Sequence, residues 1–146
     1  MSIVTPSTPS MPLTQPAARG QSRTIDFAAK IGQIEGHWQP RVVAEMNDYQ
    51  FKVVKLLGDF LWHCHADTDE TFIVLDGELH IGIRGGPNGD ETLVVRAGQM
   101  AVVPKGVEHK PSAAAEVQLL LIEPRGVVNT GDGAQGERTQ ANDVWI

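Results

Sequence analysis

Three histidines and one glutamate stand at spacings that could bring them to a single metal ion. His63 and His65 are two residues apart, Glu70 follows a short polar stretch, and His109 lies further along the chain. In a β-strand, residues two apart point to the same face, so the first two imidazoles would point together and Cys64 would point away. Three imidazoles and a carboxylate are a ligand set that divalent metals take from proteins. The four side chains can therefore form a metal site if their segments are neighbours in a sheet.

The elements that would have to position these groups are short strands. After Pro40, stretches rich in β-branched and aliphatic residues alternate with turn residues, which is typical of an all-β sandwich or barrel. The spacing of apolar residues between Thr24 and Ile34 also allows one short helix. Eight strands are predicted, over Arg41–Met46, Gln50–Leu57, Asp59–His65, Thr71–Leu75, Glu78–Arg84, Glu91–Arg96, Met100–Val103 and Val117–Glu123.

The chain is predicted to form one domain behind a flexible arm. Its 146 residues are enough for one hydrophobic core and few for two. Residues 1–22 hold four of the nine prolines and few large apolar side chains, which is typical of a flexible segment. The barrel domain, including a C-terminal tail, is assigned to residues 23–146. Because the polar tail ends in Val144-Trp145-Ile146, we expect this apolar end to dock on the barrel or on a partner subunit.

The composition argues against several classes of partner. A net charge of −6 and the lack of any run of Lys and Arg argue against nucleic-acid binding. No stretch has the apolar length of a membrane span, and the polar N-terminus lacks the apolar core of a signal peptide. Cys64 is the only cysteine, so no internal disulfide can form. These features predict a cytoplasmic protein that binds neither nucleic acid nor membrane.

The spacings around the four candidate ligands resemble the two motifs of the cupin superfamily. The resemblance implies a double-stranded β-helix, or jelly-roll barrel, in which His63, His65, Glu70 and His109 are the metal ligands. It points to small single-domain cupins of the cupin-2 type, often labelled mannose-6-phosphate-isomerase-like, and it implies a homodimer. Eight residues carry it, four in each motif: His63, His65, Glu70, Gly77, Gly98, Pro104, Gly106 and His109.

Two positions depart from the family pattern. Gly58 stands one residue closer to the first histidine than is usual, and Ala113 replaces the Asn that ends the second motif. Neither position supplies a ligand. A barrel whose histidines are only hydrogen-bonded core residues is the competing interpretation, but all four ligand positions are filled here.

Strand alternation predicts what would surround the metal. If the histidines face inward, Leu61 does as well, and an inward Glu70 brings Phe72 and Val74 inward with it. Such an apolar pocket fits a small aromatic, polyketide-like or aliphatic ligand better than a sugar phosphate, which needs an Arg or Lys clamp.

Two lysines on a neighbouring predicted strand are three residues apart, so their side chains point to opposite faces of the strand and one of them could face the pocket. They are Lys52 and Lys55. The favoured interpretation is that both are solvated surface side chains, because lysine is almost never buried without a partner.

The other candidate residues have simpler explanations. His37 and His80 lie outside the motifs, and Cys64 is more often a small buried hydrophobe than a nucleophile. Trp62 and Trp145 are predicted to make core or dimer contacts.

Four protein ligands would leave two adjacent positions open on a six-coordinate ion. Those positions suit a substrate with two neighbouring oxygens. We therefore expect one divalent ion per chain (Zn, Fe, Mn or Ni) and a small-molecule ligand. Two functions stay open: a metal-dependent enzyme of dioxygenase, isomerase or cyclase type, and a non-catalytic binding or sensing protein. The enzyme is the favoured one, and no catalytic residue is assigned beyond the ligands.

Overall fold

The computed structural model describes residues 22–146, so residues 1–21 of the predicted arm lie outside the described residues. The described part contains one short helix and seven strands, in agreement with the all-β prediction. They are α1 Phe27–Ile31, β1 Arg41–Met46, β2 Tyr49–Asp59, β3 Glu70–Asp76, β4 Glu78–Gly86, β5 Gly89–Arg96, β6 Met100–Val103 and β7 Glu108–Pro124. The helix is not long and apolar enough to cross a membrane.

The strands pair antiparallel around β7, the longest of them at 17 residues. The sheet has the order β1-β2-β7-β3-β6, and β4 pairs with both β5 and β7. The second half of β7 lies between β2 and β3, whereas its first half pairs with β4. One long strand is thus shared between two sets of partners, which closes the sheet into a jelly-roll barrel. The predicted fold class is confirmed.

One predicted strand, Asp59–His65, is wrong. The strand β2 continues to Asp59, and beyond it the segment makes only one isolated antiparallel bridge, between His63 and His109. The backbone N–H that follows His63 is hydrogen-bonded to a loop and not to a strand. It belongs to Cys64 and donates to a side-chain oxygen of Asp132. Because no neighbouring strand continues the ladder, the alternation assumed for this segment does not hold.

Two apolar clusters hold the sheet in shape. The larger fills the barrel interior with side chains such as Phe72, Leu79 and Leu119. The smaller lies on the outer face, where Ile31 of α1 covers Val53 and Leu120. Asp26 is the N-cap residue of the helix. Its side chain accepts a hydrogen bond of 2.9 Å from the backbone N–H of Ala29, which is the usual way of satisfying a free N–H at a helix start.

The C-terminal tail docks on the barrel of its own chain, the first of the two expected alternatives. Val42 of β1 donates to the carbonyl of Val144 at 2.7 Å and accepts from the N–H of Ile146 at 3.1 Å. Ile146 also packs against the outer apolar cluster. The tail therefore extends the sheet edge at β1. The homodimer stays a prediction.

Candidate metal centre

The four residues predicted from the motifs meet in the structure. His63 and His65 lie in the segment between β2 and β3, Glu70 is the first residue of β3, and His109 is the second residue of β7. All four are buried, and one potential ligand atom from each lies within 4.8 Å of the others. Residues distant in sequence are thus brought into a single cluster that fits a metal site.

Backbone pairing and ring hydrogen bonds fix two of the imidazoles. The N–H of His63 donates to the carbonyl of His109 at 3.0 Å, and the reverse bond measures 2.9 Å. Each ring also donates from Nδ1 to the carbonyl two residues before it, Leu61 or Val107, at 2.9 Å. Because a carbonyl can only accept, Nδ1 carries the proton and Nε2 presents a lone pair. This is the tautomer that metal coordination through Nε2 requires.

The carboxylate lies between two of the rings. Glu70 Oε2 is 3.1 Å from Nε2 of His65 and 3.1 Å from Nε2 of His109. Two ligand atoms at right angles on a six-coordinate ion are separated by about 3 Å when each is about 2.1 Å from the ion. Since His109 already donates from Nδ1, its Nε2 can approach a carboxylate only with a second proton or a shared cation. The arrangement fits a divalent metal.

The electrostatics favour the ligand forms of His63 and Glu70, whereas they favour the protonated ring of His65. Burial, helped by the neighbouring His109, lowers the pKa of His63 to about 4, so its ring is neutral. Burial also acts to lower the pKa of His65, but the close contact with the charge of Glu70 outweighs it and raises that pKa. For Glu70, burial would raise the pKa, yet the contacts with His109 and His65 hold it well below its usual range. The cluster therefore keeps a charged carboxylate ready for a cation.

The glycine that ends the first motif allows the turn after β3. Gly77 has φ +90°, a backbone conformation that side chains with a Cβ rarely adopt. A Cβ there would also lie 2.8 Å from the carbonyl oxygen of Glu116. The turn into β4 thus requires glycine at this position.

A narrow cavity of about 40 Å³ adjoins the cluster. His63 and Glu70 stand in its wall, and Phe72 also lines it. Most of the remaining lining is aromatic or aliphatic, contributed by Trp38, Val54, Leu56, Phe60, Leu119 and Leu121.

Two residues predicted to line this cavity are placed elsewhere. Val74 is buried in the barrel core but is not part of the lining. Leu61 is half-buried and packs toward Gly133, and Phe60 lines the cavity instead. For Leu61 the reason is the missing strand at this point, since strand alternation cannot be extrapolated through an irregular segment. Val74 does share the inward face of β3 with Phe72, but its side chain belongs to the core and not to the cavity wall.

The favoured interpretation of Lys52 as a solvated lysine is wrong. Its Nζ lies 2.7 Å from Oε1 of Glu123, and both side chains are almost fully buried. Burial, together with the charge of Glu70, raises the pKa of Glu123 to about 7, although Lys52 acts in the opposite direction. The sequence did indicate that Lys52 would be buried. Lys52 points to the same face of β2 as Val54 and Leu56, which are buried.

Replacing Lys52 with methionine should destabilise the protein by about 3–5 kcal/mol at pH 8, because it leaves the buried carboxylate of Glu123 unpaired. The folded-state pKa of Glu123 lies above its unfolded value, so the native state binds the proton more readily and the penalty grows as pH rises from 5 to 8. Urea unfolding at the two pH values measures the difference. Lys55→Met, which changes a half-buried lysine on the same strand, is the control and should change stability little. Equal losses in both variants would contradict the buried pair.

The segment after β7 covers the loop that carries two of the candidate ligands. Asp132 accepts hydrogen bonds from the backbone N–H of Cys64 at 2.6 Å and from its Sγ at 3.2 Å. The hydrogen bond to Asp132 raises the pKa of the Cys64 thiol, so the thiol stays protonated and is a poor nucleophile. A Cβ at Gly131 would lie 2.3 Å from the carbonyl oxygen of Cys64 and 3.0 Å from Nδ1 of His65.

Gly131→Ala should therefore push the covering segment off this loop and weaken metal binding about tenfold, the effect usual for groups that orient metal ligands. Competition with a chromogenic chelator measures the affinity. Gly126→Ala is the matched control, because Gly126 also has positive φ but has no atom within 4 Å of an added Cβ. The same affinity in both variants would show that the contact with Cys64 and His65 does not matter.

The histidines outside the two motifs and Trp62 lie away from the cluster. His37 pairs with Glu116 and His80 with Glu78, at 2.8 and 2.7 Å, in exposed positions. Trp62 is half-buried beside the guanidinium of Arg84, which lies 4.2 Å from the ring centre.

Comparison with known proteins identifies the family. The sequence pattern of the family described as "Cupin domain" matches residues 53–125. These residues are half of the chain and include all of the barrel except its earliest part. The chain belongs to the cupin superfamily. It is a small cupin of the cupin-2 type, as the two motifs predicted.

Three similar proteins each align with more than half of this chain. A cupin-2 domain containing protein from Shewanella frigidimarina is 53% identical, with 69% of this chain and 94% of that chain covered and a TM-score of 0.64. The protein NMB1881 from Neisseria meningitidis is 34% identical over 70% of this chain and 99% of that chain, with a TM-score of 0.61. The uncharacterized protein YdbB of Bacillus subtilis is 35% identical over 81 residues, which is 56% of this chain and 68% of that protein.

Proposed function

We propose that this cupin is a metal-dependent enzyme acting on a small oxygenated organic molecule, which binds through two of its oxygen atoms. The main support is that two members of the His/Glu cluster, His63 and Glu70, stand in the wall of a narrow, mostly apolar cavity. In a structural zinc site the four protein ligands fill the coordination sphere, so an adjoining cavity plays no part in it. A six-coordinate ion with four protein ligands keeps two adjacent positions for a substrate.

A divalent ion held by His63, His65, Glu70 and His109 would supply Lewis acidity to a substrate oxygen, and iron(II) would add redox chemistry with dioxygen. The chain's own residues supply position and environment. The Nδ1–H bonds to Leu61 and Val107 hold two imidazoles in one orientation. The aromatic rings of Phe60 and Phe72 keep water away from the bound molecule and favour hydrocarbon at its far end.

The charges in the cavity narrow the substrate class. Among residues 22–146, the charged or ionisable residues in its lining are His63, Glu70 and Glu123, and none of those residues contributes a Lys or Arg to it. A sugar phosphate would meet two carboxyl groups and no cationic clamp. Small diketones, hydroxyketones, enediols and catechols fit better, and they are substrates for dioxygenase, isomerase or cyclase chemistry.

The alternative is a non-catalytic cupin that binds or senses a small molecule. The same cluster and cavity can hold such a molecule without converting it. The cavity volume of about 40 Å³ limits the ligand of either function to a very small one. Such a protein would bind the same kind of ligand and leave it unchanged.

Substrate screening of the metal-loaded protein separates these functions. Protein reconstituted with Fe(II), Mn(II), Ni(II) or Zn(II) is incubated with catechol, acetylacetone or dihydroxyacetone, while substrate loss and oxygen uptake are followed. We expect turnover that His63→Ala abolishes and that His80→Ala, a surface histidine control, retains. Stabilisation by a probe without turnover would support the binding protein. Neither binding nor turnover with any metal would contradict both functions.

A further inference from the structure

A second polar group stands in the wall of the same cavity. It is the ion pair of Lys52 and Glu123, whose side chains are 5% and 2% exposed. Glu123 belongs to the cavity lining together with His63 and Glu70. A buried ion pair contributes little net stability compared with apolar residues of the same size. Its presence beside the candidate metal centre therefore calls for an explanation other than stability.

One oxygen of this pair lacks a partner. Lys52 donates to Oε1 of Glu123, whereas Oε2 is buried and has no hydrogen-bond partner within residues 22–146. Leaving a buried polar atom unsatisfied is unfavourable, and such atoms in native proteins are usually satisfied by water or a ligand. Because Glu123 lines the cavity, a molecule in the cavity can supply the missing donor.

The strand register places this oxygen near the cluster. Thr71 of β3 lies opposite Ile122 of β7, so the next residues on each strand, Glu70 and Glu123, are neighbours across the two strands. Such neighbours have Cβ atoms about 5 Å apart. A ligand only a few atoms long can thus reach both the metal centre and Glu123.

We propose that Glu123 is a second recognition point for the ligand, accepting a hydrogen bond at Oε2 from a hydroxyl or N–H group of the molecule. Lys52 is a positioning residue that holds the carboxylate through Oε1. The inference rests on the proposed function and narrows its substrate class. The substrate is a small compound with two chelating oxygens and a hydrogen-bond donor on an adjacent carbon.

Charge argues against the opposite assignment, an anion held by Lys52. The ammonium group is already 2.7 Å from Glu123 Oε1. A second anion in the cavity would also face the carboxylate of Glu70. A neutral donor avoids this repulsion and satisfies the free oxygen.

The test uses two probes of the same size on the full chain loaded with cobalt(II). Glycolohydroxamate and propionohydroxamate have the same chelating head and differ only in a terminal hydroxyl or methyl group. Titrations followed by the cobalt absorption bands give both dissociation constants. At pH 8, above the pKa of Glu123, we expect the parent protein to bind the hydroxyl probe about tenfold more tightly, as for a hydrogen bond to a charged acceptor.

The main variant is Lys52→Met/Glu123→Leu, which removes both charges together and leaves neither buried alone. We expect it to keep the parent's cobalt content and to lose the preference for the hydroxyl probe. The control, Lys55→Met/Glu91→Leu, removes a lysine and a glutamate outside the cavity lining and should keep the preference. If the main variant does not fold, Glu123→Gln should still reduce the preference at least threefold.

Each contrary outcome has a distinct meaning. Equal binding of both probes by the parent would overturn the role of Glu123 and leave the proposed function standing. A preference that survives in the main variant would do the same. Loss of cobalt from that variant would show that Glu123 helps to hold the metal, which contradicts its role as a ligand contact. If the cobalt-loaded parent binds neither probe, the proposed function and this inference both fail.

Discussion

His63→Ala/His65→Ala should abolish stoichiometric metal binding, whereas the parent should hold close to one divalent ion per chain. The variant removes two of the four groups whose ligand atoms lie within 4.8 Å of one another. Losing a residue that only orients a ligand weakens metal binding about 10–100-fold, so losing two ligands should weaken it by more than about 100-fold. Elemental analysis of protein purified without a histidine tag measures the content.

Two comparisons make this result specific. His37→Ala/His80→Ala removes two exposed histidines that pair with surface glutamates, and it should keep the parent's metal content. Glu70→Gln should weaken binding less than the double histidine variant, because it keeps one oxygen and all three imidazoles. Equal metal content in the parent and in His63→Ala/His65→Ala would rule out the site.

Metal affinity should fall steeply as the pH is lowered. Ligating imidazoles must be neutral, so protons compete with the metal. The contact with Glu70 raises the pKa of His65, so the competition begins above the ordinary pKa of histidine. The loss should be about tenfold for each pH unit below the pKa of His65. His63, whose pKa is about 4, adds a further proton only at much lower pH.

Competition titrations with a chelator of known protonation constants, from pH 8 to pH 4.5, measure this dependence. In Glu70→Gln the charge that raises the pKa of His65 is absent, so the onset of the loss should move to lower pH. An affinity that is the same at pH 7.5 and pH 4.5 would show that histidines do not hold the metal.

The candidate ligands could be predicted from the sequence because the information is local. Two motifs fix His63, His65, Glu70 and His109 relative to nearby turns, and the structure brings all four together. The bounds of β1 and β6 were also predicted correctly, since both are short runs between clear turn signals.

The errors occur where distant segments decide the outcome. The segment containing Cys64 reads as a strand, but its hydrogen bonds go to Asp132, 68 residues away. The burial of Lys52 depends on Glu123, which is 71 residues further along the chain. Neither partner is visible in the local alternation of apolar and polar residues.

The most direct test of the metal centre is anomalous X-ray diffraction from crystals of the zinc-loaded protein, with data on both sides of the zinc absorption edge. We expect one strong peak per chain, at about 2.0–2.2 Å from nitrogens of His63, His65 and His109 and from an oxygen of Glu70. A fully loaded crystal with no peak among these four side chains, or with its peak at other residues, would contradict the account.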